Sequence, residues 1–202
     1  MTSGTTLLAP TPPTHAVTVD PFVFTGEKIS LRKVTLQDCT DTYVSWLRDA
    51  DVTRYLETRW HDQGAATVTA FVSHMANSTD SHLLAIIENY TSQHIGNIKI
   101  GPINPHHLCA DVSYFIGNKG YWGNGFATEA IKGATDYGFR KLGLYSLRAG
   151  VYGKNVASLK ALEKNGYKVR GTFPGELSTE GDARDSHIML SITLPEYKSK
   201  LS

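Results

Sequence analysis

Apolar residues along the chain fall into helical and extended textures that alternate in blocks. In residues 28–34, Ile29, Leu31 and Lys33 alternate with Ser30, Arg32 and Val34, an imperfect period of two that predicts a strand. From Thr35 the period lengthens. Leu36, Cys39, Tyr43, Trp46 and Leu47 share a helical face, and Thr35 and Asp38 have the spacing of a capping pair at its start. Residues 49–51 read as a break, after which a short helix carries Val52, Tyr55 and Leu56. Val68, Phe71, Val72 and Met75 fall at i, i+3, i+4 and i+7 and predict a further helix over 65–77.

The texture then changes. Three β-type runs at 82–88, 94–101 and 108–117 are split by polar breaks at 89–93 and 102–107, which predicts an antiparallel meander. A helix follows, with Ala127, Ala130, Ile131, Ala134, Tyr137 and Gly138 on one stripe. Next come a strand at 145–152, a helix at 155–166 and two closing strands near 167–173 and 183–194. This order is α+β, with a helical crossover joining the third meander strand to the one at Tyr145. Residues 1–25 show no period and are rich in Thr, Ser and Pro. They read as an N-terminal tail, partly flexible, with "VTVDPFVF" left open as a part that packs on the domain. Residues 26–202 then make one domain.

Composition narrows the function classes. The chain is 41% hydrophobic and 19% charged, ordinary for a soluble globular protein. Its net charge of +1 marks no nucleic-acid binder, so any anion site must be local. No apolar run approaches the roughly 20 residues of a membrane span, and no signal peptide is evident. Cys39 and Cys109 make no disulfide framework, and the expected location is cytoplasmic.

The densest chemistry lies in "YWGNGFATEAIKGATDYGF", from Tyr121. Gly123 and Gly125 precede a strong amphipathic helix, and small residues there leave backbone N–H groups open to a phosphate or diphosphate. The string GxxxxGK[ST] is absent, and Gly123-Asn124-Gly125-Phe126-Ala127-Thr128 departs from GxGxxG at its last position. A plain strand-to-helix turn is the alternative.

Together with "NVASLKALEKNGYKVRG", this segment resembles the GNAT superfamily of acyl-CoA-dependent N-acyltransferases. The likeness is greatest to the branch acting on ribosomal-protein N-termini and nucleotide-sugar amines. It covers 27–194 and is densest between Ala110 and Phe173. Trp122 stands where the family's motif carries Gln or Arg. The resemblance implies a mixed, splayed central sheet of about seven strands flanked by helices. It implies acetyl-CoA as co-substrate, with no metal. The diphosphate would lie on the N–H groups of Trp122, Gly123, Asn124, Gly125, Phe126, Ala127 and Thr128. The pantetheine arm would lie along the strand edge at Phe115 and Ile116. Asn155 resembles the asparagine that meets this arm, and it also suits a helix N-cap.

The resemblance implies amine attack on a thioester. Many relatives place an acidic tyrosine seven residues after the asparagine; here that position is Leu162, and Ser158 is the substitute, alternatively a small packing residue. Asp111 falls where many relatives carry an acidic residue early in the strand, a base acting through water or alternatively a solvated edge carboxylate, and Tyr114 lies on the opposite face of a regular strand. Glu57, Arg59 and Trp60 resemble the acceptor-side region, alternatively a loop packed by Tyr55 and Trp60; Glu176 or Asp185 is a further candidate acceptor contact, in a hairpin where Gly181 and Asp182 read first as a turn. His107, Cys109 and Asp111 alternate on one strand face, but nothing in the family calls for a metal. The expected acceptor is a small amine or amino sugar. The alternatives are a protein N-terminus or, because of Leu162, a non-catalytic acyl-CoA binder. No nucleic-acid or membrane partner is implied, and a homodimer is compatible with the family.

Overall fold

The computed structural model describes residues 22–201. In chain order the elements begin with β1 (Phe22–Thr25), β2 (Ile29–Lys33), α1 (Asp41–Arg48), α2 (Ala50–Thr53) and α3 (Ala65–Ala76). The meander follows as β3 (His82–Glu88), β4 (His94–Ile100) and β5 (Cys109–Ile116). Then come α4 (Phe126–Arg140), β6 (Ser146–Tyr152), α5 (Val156–Lys164), β7 (Lys168–Ser178), β8 (Arg184–Thr193) and α6 (Leu194–Leu201). The strands form one mixed sheet in the order β1-β2-β3-β4-β5-β6-β8-β7.

The sheet is covered on both faces, which explains why β3 reads as an unbroken apolar run. Leu84 and Ile86 point into a core shared with Ala130, Ile131 and Ala134 of α4, Leu162 of α5 and Tyr197 of α6. Leu83, Ala85 and Ile87 point the other way, onto Tyr43, Trp46 and Leu47 of α1 and Val68 and Val72 of α3. A bulge reverses the alternation in β4. Its register shifts between the Ile86 and Ile87 pairs, so Ile95 joins the same core as Ile98 and Ile100.

The eighth strand is β1. It lies inside the segment read as tail and pairs antiparallel with β2 through Phe24↔Leu31 and Thr25↔Ser30. Residues 1–21 lie outside the described residues. The helix expected from Leu36 is divided. Leu36–Asp38 is one 3-10 turn, because Asp38 turns back to accept from the Thr35 N–H at 2.8 Å and from both Arg32 guanidinium nitrogens at 2.8 and 2.7 Å. Thr40 then caps α1, its hydroxyl accepting from the Tyr43 N–H at 3.3 Å. The unforeseen α6 docks through Tyr197, whose ring stacks on Phe139 at 4.7 Å and whose hydroxyl donates to Asp136 at 2.7 Å.

The feature that positions the site is a split in the sheet. β5 and β6 are parallel and pair only at Cys109↔Ser146, Ala110↔Leu147 and Asp111↔Arg148. Beyond Asp111 they diverge, each held by its other neighbour: β5 by β4 as far as Ile116, and β6 by β8 as far as Tyr152.

Candidate active site

Strand alternation dictates which backbone groups face the split. The Gly101 N–H donates to the Asp111 carbonyl and the Gly117 N–H to the Ile95 carbonyl, both at 2.8 Å. Odd-numbered residues of β5 therefore spend their backbone on β4, and Val112, Tyr114 and Ile116 turn theirs toward the split. The Trp122 indole N–H donates to the Ile116 carbonyl at 2.8 Å. The residue that departs from the motif thus braces the end of the open strand edge. Phe115, expected at that edge, has its backbone on β4 and stacks its ring on Tyr43 at 6.2 Å, on the α1–α3 face.

At the wide end of the split, α4 begins. Gly123 and Gly125 have φ of +76° and +84°, the left-handed region where only glycine is unstrained. Gly125 is the N-cap, and the first intrahelical bond runs from the Glu129 N–H to its carbonyl at 3.0 Å. Among the described residues, no acceptor takes the N–H of Gly123, Asn124, Gly125, Phe126, Ala127 or Thr128. Six adjacent free donors at a helix N-terminus suit a diphosphate. A side chain added at Gly123 would meet nothing within 4 Å, so the space in front of the turn is open.

A cation that the sequence did not reveal stands beside this turn. Lys28 donates through Nζ to the Asn124 carbonyl at 2.9 Å and lies 5.8 Å from the Phe126 ring centroid. Glu129 fixes it there by accepting from the backbone N–H groups of Glu27 and Lys28. Lys28 supplies the local charge that Trp122 does not.

A cavity of 710 Å³ runs through the split and is lined on both faces of the sheet. On the α4–α5 side it is bounded by Tyr114, Asn155, Ser158 and Leu162. Asn155 caps α5, its side-chain oxygen accepting from the Ser158 N–H at 3.2 Å. The Ser158 hydroxyl is bonded to the Tyr114 hydroxyl at 2.7 Å. Tyr114 lies on the strand face away from Asp111, and that face is where Ser158 stands. Burial pushes the Tyr114 phenol up to about 12, with the Ser158 bond drawing it partly back. Leu162, in the tyrosine's place, is fully buried in the core.

On the α1–α3 side the lining includes Glu57, His61, Lys99, Ser113, Tyr152 and His187. The Tyr152 hydroxyl donates to Glu57 Oε1 at 2.6 Å. His187 pairs through Nδ1 with Glu176 Oε2 at 2.6 Å, and its Nε2 lies over Gly150, where a Cβ would approach to 2.3 Å. A glycine is needed at 150 for the imidazole to lie there.

Several expected residues stand elsewhere. Asp111 is at the closed end of the split, paired with Arg148 at 3.0 Å and outside the cavity lining. The reason is topological: it belongs to the last pair before the strands part. Arg59 and Trp60 line a separate hollow of 660 Å³ with Arg54 and Lys154. Arg59 still reaches the site indirectly, donating to the Tyr152 hydroxyl at 3.0 Å and to the Ser178 carbonyl at 2.8 Å. Asp185 accepts from the Lys154 N–H at 3.0 Å, a turn contact. Among the described residues no cluster of three or more His, Cys, Asp or Glu is placed to hold a metal ion, and no helix is long and apolar enough to cross a membrane.

Comparison with known proteins agrees with this geometry. The profile of the acetyltransferase (GNAT) domain family matches residues 28–168. The uncharacterized N-acetyltransferase p20 of Bacillus licheniformis is 28% identical over 85% of this chain and 96% of its own length. The spermidine N(1)-acetyltransferase of Escherichia coli K12 is 34% identical over 45% of this chain and 48% of its own. The crystal structure of the Vibrio cholerae spermidine N-acetyltransferase, in complex with CoA and spermine, superposes with a TM-score of 0.75 at 18% identity, over 85% of this chain and 98% of that one. The family match spans well over half of the sequence and takes in the split, the turn before α4 and α5. The chain belongs to the GNAT acetyltransferase family and is an acyl-CoA-dependent N-acetyltransferase with acetyl-CoA as its donor.

Proposed function

We propose that the acceptor is a small primary amine, of the alkylamine or amino-sugar kind, and that it attacks the donor directly with no covalent enzyme intermediate. The observation that carries this reading is the through-sheet cavity. One wall holds a hydroxyl pair, Tyr114–Ser158; the other holds a carboxylate, Glu57, and an imidazole, His187. Tyr43 and Leu47 of α1 and Val68 and Phe71 of α3 roof the second wall, which suits a compact acceptor.

Acetyl-CoA supplies an electrophilic thioester carbon and a thiolate leaving group. The free N–H groups from Gly123 to Thr128, with Lys28, hold its diphosphate. The unpaired edge of β5 holds its pantetheine arm as a short added strand. Glu57, fixed by Tyr152, draws the incoming ammonium. An alkyl ammonium has a pKa of about 10.4 and must lose a proton before it is nucleophilic. Glu176, accepting from Nδ1, leaves His187 Nε2 to take that proton. Ser158 donates to the departing sulfur and is resupplied by the Tyr114 phenol.

The test is thiol release from acetyl-CoA over a panel of alkylamines, amino sugars and short peptides with free N-termini. Turnover concentrated on the small amines is expected. A peptide N-terminus turned over far better than every small amine overturns the acceptor reading. In His187→Gln, kcat is expected to fall by about 100-fold, the contribution of a positioned base, with affinity for acetyl-CoA unchanged. Undiminished kcat removes His187 from the mechanism.

A further inference from the structure

The acceptor wall of the cavity carries polar groups that the reaction above does not use. Lys99 and Asn97 lie two apart on β4 and so project from the same face, toward α1 and α3. Lys99 is half-buried between Leu83 of β3 and Ser113 of β5, its direct ladder partners. Among the described residues, neither its ammonium nor the Ser113 hydroxyl has a hydrogen-bond or ion-pair partner. The Asn97 amide nitrogen is buried near the Tyr43 hydroxyl without a hydrogen bond of full geometry, while its oxygen is bonded to His94 Nε2 at 2.9 Å. Buried donors such as the Asn97 amide are ordinarily satisfied, while Ser113 is exposed and Lys99 half-buried, so both are open to a ligand entering the cavity. Here ammonium, hydroxyl and amide donors stand on adjoining strand positions inside one cavity.

The charges of the lining divide the same way. Among the described residues that line the cavity, Glu57 is the one carboxylate and Lys99 the one lysine or arginine. They come from different elements: Glu57 from the segment after α2, Lys99 from β4. A molecule satisfying both carries an ammonium for the first and an anionic group for the second. A polyamine, with several ammonium groups, would face one carboxylate and a like charge at Lys99. Tyr43, Val68 and Phe71 beside Lys99 offer apolar contact to the part of the acceptor between its two charges.

We propose that Lys99, with Ser113 and Asn97, forms an anion subsite, so that the preferred acceptor is a zwitterion: a primary amine whose body also bears a carboxylate or phosphate. This rests on the acceptor being a small amine, and it narrows that class to one distinct from the polyamines of the spermidine-acetylating relatives.

Two measurements separate the subsite from the reaction it serves. The first is calorimetric binding to the CoA-loaded enzyme of N-acetylphenylalanine and N-acetylphenethylamine, which share a body and differ by a carboxylate. Neither has a free amine, so the comparison needs no turnover. The wild type is expected to bind the carboxylate form about tenfold tighter or better, as for a hydrogen-bonded charge, and Lys99→Met to bring the ratio near one. Equal binding by the wild type, or a ratio unchanged in Lys99→Met, overturns the subsite. The second is kcat/KM for phenylalanine against phenethylamine, phosphoethanolamine against ethanolamine, and spermidine. A preference for the anionic member of either pair, lost in Lys99→Met, supports the proposal and tells carboxylate from phosphate. Spermidine exceeding every zwitterion overturns it. Anion-selective binding with no turnover of any amine supports the subsite and refutes the small-amine reading instead.

Discussion

The hydroxyl pair across the split gives the sharpest test of how the leaving group is served. Ser158→Ala removes the group proposed above to donate to sulfur, and Tyr114→Phe removes its proposed supply. A positioned general acid contributes roughly 10²–10⁴ in rate, and a thiol with an ordinary pKa near 8.5 needs the lower end of that range. The expected loss of kcat in Ser158→Ala is therefore about 100-fold, near 2.7 kcal/mol. The stability cost is smaller. The variant forfeits one 2.7 Å hydrogen bond between partly buried hydroxyls, about 1 kcal/mol, too little to unfold a domain of this size. The assay is single-turnover acetyl transfer, so that product release does not mask chemistry. Groups that act as a unit are non-additive, so the double variant should be no slower than Ser158→Ala alone. The pH profile gives a second check. A phenol must be protonated to donate, and Tyr114 is pushed up to about 12, so kcat should show no fall from this group as pH rises to about 10. A Ser158→Ala rate within twofold of wild type refutes the relay, as does a double variant whose losses multiply.

Three further predictions concern the donor cradle and the fold. Lys28→Met should weaken acetyl-CoA binding by about fivefold, roughly 1 kcal/mol, the upper end for an exposed charge pair, with a shallower salt dependence in titration calorimetry. Gly125→Val places a branched side chain at φ +84°, a strain of about 1–2 kcal/mol, and sets its bulk before the free N–H groups. It should lower both the melting temperature and acetyl-CoA affinity, and unchanged affinity counts against the cradle. Burial alone would push the Asp38 carboxyl up, but the Arg32 guanidinium and the Thr35 N–H hold it below its ordinary value. A depressed carboxyl stabilises the fold above its unfolded pKa of about 3.9, and this is lost as pH falls through the folded value. Arg32→Met should thus cost about 3 kcal/mol at pH 7 by urea denaturation, and its deficit relative to wild type should shrink below about pH 4.

What the sequence disclosed and what it withheld divide by chain distance. The glycine turn and the helix after it were legible because their chemistry is contiguous, with positive φ, free N–H groups and an apolar stripe within twenty residues. The meander and the crossover to β6 were legible for the same reason. The partnerships were not. Lys28 reaches a carbonyl 96 residues on, Tyr114 a hydroxyl 44 residues on, and Glu57 a phenol 95 residues on. No periodicity encodes such pairs. Asp111 shows a subtler limit. Its alternation in β5 was correctly read, but the point at which two parallel strands part depends on β4 and β8, which hold them from outside. β1 is four residues at the end of a Pro- and Thr-rich stretch, and α6 is a short charged helix with a proline near its start. Both form because an edge strand and an open core face are there to receive them.

The split itself needs a physical account, because an unpaired strand edge inside a domain leaves backbone donors and acceptors unmet. Two features of the chain keep it open. At its wide end, the bulge at Ile95 and the bare backbone of Gly96 keep β4 closely paired to β5 as far as Ile116; a Cβ at 96 would lie 2.2 Å from the Phe115 carbonyl. Across its width stand two side-chain props. Tyr114 of β5 meets Ser158 at the start of α5, and Tyr152 of β6 meets Glu57 from the segment after α2. Each prop bonds a strand flanking the split to an element outside the sheet, so neither draws β5 and β6 together. The same four side chains line the cavity and are the ones proposed above to serve the reacting groups. Their placement therefore serves the architecture and the chemistry at once, and changing any of them should alter the width of the split as well as the rate. For that reason the rate loss from a prop residue is informative only beside a measurement of donor affinity, which reports whether the edge of β5 still stands open.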